Sequence, residues 1–464
     1  MIRAKFFTRT ALGLSLALGL AAGAASPVLA KDKDKKPAEV KLSPSKGFVP
    51  AYVAAKTALD AAAKRPDVVA ARQAALDAKA AADKAQSKKA IADTSATLSA
   101  AQTILGNLLQ PEKALVEKAV AAGTTADDKE ISGQLLIYVG SISLDPVLQR
   151  RGIQMRIDSG KNPASEIPRF YLALANIAFE SKDYASTQTL ILKAKELGYT
   201  GSEGEVMLAD SMIKGNRAPE GLKVLHDLAV RTGAAAPENW LSYGARMAYK
   251  AKLPQEGAYF ASALVQAYPS QDNWTLAIVV VRDLNQFQGH DQIDLLRLME
   301  RTKSYSEARD YVDYIQALSK RGMPGEELKI INQGVASGML SANDQFVIDG
   351  KKEATTRIAS DRASLPAQER EARGPNASAA TITAAGDTFL SYDDPVKAEA
   401  FYLLALTKPG VDSSRVYLRL GIAQADQGKY ADAQASFAKV TDARAPIAQL
   451  WSAYAKNKLM APAK

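Results

Sequence analysis

Residues 413–446 read SSRVYLRLGIAQADQGKYADAQASFAKVTDARAP. Tyr417, Leu420 and Gly421 fall on one predicted helix. Gly428, Lys429 and Tyr430 then make a polar turn, and Ala433 and Phe437 continue on a second helix, with Pro446 closing the unit. The same pattern lies 35 residues upstream, where Gly386, Ala398, Tyr402 and Ala405 precede Gly421, Ala433, Phe437 and Val440. Four matched positions at one offset mark a repeat. Its length suits a helical hairpin that buries its apolar face only against neighbouring hairpins. Small residues at Gly421 and Ala433 let two helices approach, and large rings at Tyr417 and Phe437 fill the space between hairpins.

The middle of the chain carries the pattern again. One unit opens near Pro168 with Tyr171, Leu174, Ala175, Asp183, Tyr184 and Ala194. A second opens near Ser202 with Leu208, Ala209, Gly221 and Leu225. A third opens near Pro237 with Trp240, Tyr243, Gly244, Phe260, Ala263 and Pro269, and a fourth near Gln271 with Trp274. Trp240 and Trp274 stand 34 residues apart. A weaker unit runs from Glu307 to Gly338. An aromatic, then Leu-Gly, a turn, Ala with an aromatic, and a closing Pro resemble the tetratricopeptide repeat. The resemblance covers roughly 200 residues. Thr187 and Glu256 depart from it, standing where that family prefers Ala.

The resemblance implies an all-α, tetratricopeptide-like helical-hairpin solenoid, joined here to an Ala-rich helical N-terminal region. It also implies binding of a protein partner or an extended peptide along the first helices. The positions that would face such a partner are Arg169, Asn176, Asp210, Leu241, Tyr249, Arg415, Leu418 and Arg419. Leu172 stands where one lysine of a carboxylate clamp would be, so that clamp is not expected. The residues expected to pack the repeats are Tyr171, Trp240, Gly244, Phe260, Trp274, Gly386, Ala398, Tyr402, Gly421, Ala433 and Phe437.

The first thirty residues read as an address. Arg3, Lys5 and Arg9 precede an apolar run from Ala11 to Ala25, and Val28 and Ala30 flank a cleavage position. This is the layout of a cleavable secretory signal. It predicts cleavage after Ala30 and resembles export signals of Gram-negative bacteria, which places the mature chain in the periplasm. The formal net charge of +9 falls to about +6 once those three cations are removed. Residues 31–46 form a basic tail, expected to be disordered and the only part able to touch a membrane surface. The absence of cysteine excludes disulfides, thiolate chemistry and a lipidated N-terminal cysteine.

Residues 47–160 read as an Ala-rich helical region, which Pro66 and Ser87-Lys88-Lys89 divide into helices. Repeats are expected over 161–355, a linker or loop over 356–378, and repeats with a capping helix over 379–464. His226 and His290 have no partner histidine at metal-ligand spacing, and no phosphate loop or nucleophile elbow occurs. Arg150-Arg151 is only a doublet, so nucleic acid is not an expected partner. No enzyme activity, cofactor or metal is predicted. The alternatives are a peptidoglycan-acting envelope enzyme with its catalytic part in 46–160, and a structural protein that associates with itself.

Overall fold

The computed structural model describes residues 41–85 and 87–460. The export signal with its cleavage position, and the tail as far as residue 40, lie outside them. The fold is all-α and built of paired helices in hairpins, and no strand occurs among the described residues. Two compact units divide the chain after Gly215.

The first unit contains α1 (Val49–Ala62), α2 (Pro66–Lys84), α3 (Lys88–Leu108), α4 (Gln110–Ala122), α5 (Ala126–Ile142), α6 (Pro146–Ser159), α7 (Ile167–Glu180), α8 (Tyr184–Glu196) and α9 (Ser202–Lys214). Helix α1 packs on α4, so α2 and α3 form a hairpin inserted between them. Pro66 opens α2, where its missing N–H is harmless. Ser87 caps α3 by accepting from the Ala90 amide at 3.1 Å. Alanines at the α2–α3 seam allow close approach, and Val68, Ala75, Ala78 and Leu105 are the residues buried there. The α5–α6 pair is tighter still. A Cβ added at Gly152 would lie 2.6 Å from the Gly133 carbonyl oxygen, so the two backbones are in direct contact.

The tail expected to be disordered over 31–46 is ordered at its end. The Ser43 amide donates to Asp127, and the Ser45 amide and hydroxyl both donate to Asp128 at 2.8 Å. Leu42 packs on the core of this unit. Thr125 and Asp128 form the capping box of α5, and the serine bonds to Asp127 and Asp128 tie the chain just before α1 to that helix start.

The second unit contains α10 (Ala218–Thr232), α11 (Glu238–Ala251), α12 (Pro254–Ala267), α13 (Gln271–Asn285), α14 (His290–Thr302), α15 (Ala308–Arg321), α16 (Pro324–Ala336), α17 (Gln345–Ala372), α18 (Ala379–Ser391), α19 (Pro395–Ala405), α20 (Ser413–Asp426), α21 (Tyr430–Phe437) and α22 (Ala445–Met460). A single device recurs in its hairpins. Gly244 faces the Phe260 ring, Gly386 the Tyr402 ring and Gly421 the Phe437 ring, each 16 residues further on. A Cβ at these glycines would approach ring carbons to 2.4, 2.6 and 2.4 Å. Ala398 and Ala433 are buried between the same helices.

Two expectations are corrected here. The segment 356–378 is no linker, because most of it is the second half of the 28-residue helix α17, which carries Pro366 inside. Loop-like composition was misleading: one proline removes one backbone bond, and the flanking alanines and charged residues keep the helix. The C-terminal helix is also more than a cap. Helix α22 packs on α21 and on α12, α13 and α14, so the second unit folds back on itself. The Trp451 indole donates to the Asp294 carbonyl at 2.9 Å and the Asn457 amide to the Val265 carbonyl at 2.7 Å.

Among the described residues no helix is long and apolar enough to cross a membrane.

Candidate partner-binding cleft

Helix α14 is enclosed by α13, α15 and α22, and its seven residues from Ile293 to Met299 are all buried. Two of them are charged, so their partners have to come from surrounding helices. The Arg297 guanidinium donates to Asp294 at 3.1 Å and to both oxygens of Glu326 on α16 at 2.9 and 2.7 Å. Tyr314 on α15 donates to Glu326 at 2.6 Å. From α20, Arg419 donates to Asp294 at 3.0 Å and to both oxygens of Asp387 on α18 at 2.7 and 2.6 Å. Arg415 and the Tyr402 hydroxyl complete the Asp387 shell at 3.0 and 2.9 Å. Burial opposes ionisation of Asp387, but the Arg419 and Arg415 charges outweigh it and hold this carboxyl below its ordinary range. At the start of α14, burial first and then the charge on Arg419 push the His290 imidazole down to about 3.

An open cleft lies between the start of α14 and α15. Gln288, Gly289, Gln292, Asp313, Gln316, Ala317, Lys320 and Arg321 enclose about 400 Å³. Gly289 has a left-handed φ of +58° that turns the chain into α14, and the Arg321 guanidinium lies directly over it. Lys320 and Arg321 occupy the last turn of α15, where cations suit the negative helix end. Gly322 then leaves the helix at φ +67°. The result is a polar trough with three amide side chains and two cations, the chemistry that meets the peptide groups and charges of an extended chain.

A smaller recess of about 170 Å³ in the first unit is lined by Tyr52, Lys56, Asp60, Ile131, Gln134, Leu135 and Tyr138. Its polar groups already serve one another. Asp60 accepts from Lys56 at 2.6 Å and from Tyr138 at 3.1 Å. Burial, then the bond to Asp60, raise the Tyr138 phenol to about 12.

The residues expected to line a groove are dispersed. Leu241 and Leu418 are buried apolar packing, and Arg419 is wholly buried, so none of the three faces a partner. Arg415 is turned onto Asp387. Tyr249 is exposed and donates to Asp283 at 3.2 Å. In the first unit Arg169 is exposed, while Asn176 and Asp210 are half-buried, with Asp210 bonded to Lys214 at 2.8 Å. Family positions placed Arg415 and Arg419 on an inner face. The return of α20 and α22 onto α14 turned that face into interior.

The residues expected to pack repeats lie as follows. Tyr171 borders an apolar cluster with Phe170 and Ile153, and Trp240 is half-buried. Trp274 is buried and meets Tyr454 edge-on at 6.4 Å. The cleft residues went unread in the sequence because glutamines and terminal cations are ordinary surface composition. Only the charges inside the apolar run Ile293–Met299 signalled that α14 needed polar partners.

No family model matches this chain, and no curated protein matches it. Among solved structures it is similar to a monomeric mutant of IFIT1 with m7Gppp-AAAA, at 13% identity over 74% of this chain and 77% of that one, with a TM-score of 0.21.

Proposed function

We propose that this chain is an exported, non-enzymatic scaffold that binds protein partners in the periplasm, serving envelope assembly, secretion or polymer export. The α14–α15 cleft is the observation that carries this reading. It is a polar trough on a body of nested hairpins, and its amides can accept and donate to the main chain of an extended segment. The first thirty residues support export, and the basic tail after them is the one segment suited to a membrane surface.

Amine-reactive cross-linking in intact cells, followed by mass spectrometry, tests the reading because Lys320 lies at the cleft. Repeated links from Lys320 to one heterologous protein are expected. Links among copies of this chain alone would instead favour a self-associating structural protein. N-terminal sequencing of the mature material is expected to begin at Lys31, and a start at Met1 would contradict export by cleavage.

A further inference from the structure

The α14–α15 cleft is electrostatically unbalanced. Its cations, Lys320 and Arg321, make no ion pair and no side-chain hydrogen bond among the described residues. Its one carboxylate, Asp313, pairs loosely with Arg309 on its own helix at 3.7 Å. Gln292 and Gln316 have no side-chain partner either, and Gln288 reaches only the Gln286 carbonyl at 3.4 Å. The more buried guanidinium groups Arg297 and Arg301 of α14 and Arg415 and Arg419 of α20 are matched to carboxylates. Arg321 has no such carboxylate among the described residues, and it is held over Gly289, where no Cβ competes for the space.

We propose that this cleft takes an acidic, extended segment of a partner protein. An Asp or Glu carboxylate sits between Lys320 and Arg321, and the partner's main chain bonds to Gln292 and Gln316. The proposal rests on the protein-binding reading above and adds the chemistry of the partner. Charge complementarity selects the occupant. This chain's own tail over 31–46 is net basic, with six lysines against Asp32, Asp34 and Glu39, so it does not fit. A free oxyanion would use the two cations and leave the row of amides idle. Asp313, at the other end, sets the direction by repelling a second carboxylate and accepting a main-chain N–H.

The test pans displayed random peptides on the full mature chain, wild type and Arg321→Gln, and measures the selected peptides by fluorescence polarisation. Arg321 is exposed, so the variant is expected to keep the wild-type melting temperature. Selected peptides should carry Asp or Glu. Replacing that residue by its amide should weaken binding to wild type about tenfold, the loss of one charge-assisted bidentate contact, and should weaken binding to Arg321→Gln, which keeps only Lys320, by clearly less. Peptides that bind equally to both chains would overturn the acidic assignment and leave protein binding standing. If no peptide is selected, the protein-binding reading of this cleft fails as well. Inorganic phosphate that binds through Arg321 while no peptide does would mark a free-oxyanion seat and overturn the proposal.

Discussion

Along the 21 residues of α3 only Leu105 is buried, whereas α14 buries seven residues in succession. The two helices show two ways of using a hairpin. Helix α3 meets α2 through alanines and leaves most of its surface wet, so its polar residues need no partners. The run Ile293–Met299 of α14 is buried, so its charges Asp294 and Arg297 need partners from other helices as well as each other. Burying an ion pair gains little over an apolar pair, but breaking one strands a charge. The second unit is therefore held in one arrangement by contacts that fail individually at high cost. The α2–α3 hairpin is held by many weak contacts, each dispensable.

The largest contrast is expected at the ion pairs. Arg419→Met leaves Asp294 and Asp387 buried without their shared cation and should cost about 3–5 kcal/mol in urea unfolding. Lys79→Met removes the exposed pair with Glu180 in the first unit and should cost less than about 1 kcal/mol. Similar losses would remove the distinction. The glycines come next. Gly421→Ala forces a methyl into the Phe437 ring and should cost about 1–3 kcal/mol. Gly106→Ala on α3 meets open space and should instead stabilise by about 0.5–1 kcal/mol. Ala433→Leu should likewise lower the melting temperature well beyond Ala82→Leu, because Ala433 is enclosed and Ala82 lies at the half-open edge of α2.

A pH dependence of the second unit comes from Glu327. Burial, and then the nearby Glu353, raise the Glu327 carboxyl to about 7 from an ordinary 4.5. The folded state thus holds this proton more tightly than the unfolded chain. The resulting stability is full below about pH 4.5 and is lost as pH rises through about 7. Moving from about pH 5 to about pH 8 should lower the melting temperature of wild type more than that of Glu327→Gln. An equal fall in both would show that Glu327 does not titrate in that window.

What could be read from the sequence follows the same division. The Gly386/Gly421 offset exposed the C-terminal hairpins, and Pro66 and Ser87 marked the Ala-rich helices, because these signals are local. The return of α22 onto α12 was illegible, since it joins residues such as Asn457 and Val265 that share no spacing or motif. The linker expected over 356–378 was misplaced because a single proline, Pro366, is a poor guide inside 28 residues of otherwise helical composition. The cleft was hidden for a different reason. Gln292, Gln316 and Arg321 matter through what they lack, a partner, and only the folded neighbourhood reveals that. Arg419 was assigned to an open groove by repeat position, and the same neighbourhood places it in the interior.

Hydrogen exchange read by mass spectrometry on the intact chain tests the contrast most directly. The account predicts that amides of α14, α20 and α22 exchange only through global opening of their unit, while those of α3 exchange through local opening at much lower free energy. Protection in α3 equal to that in α14 would contradict it.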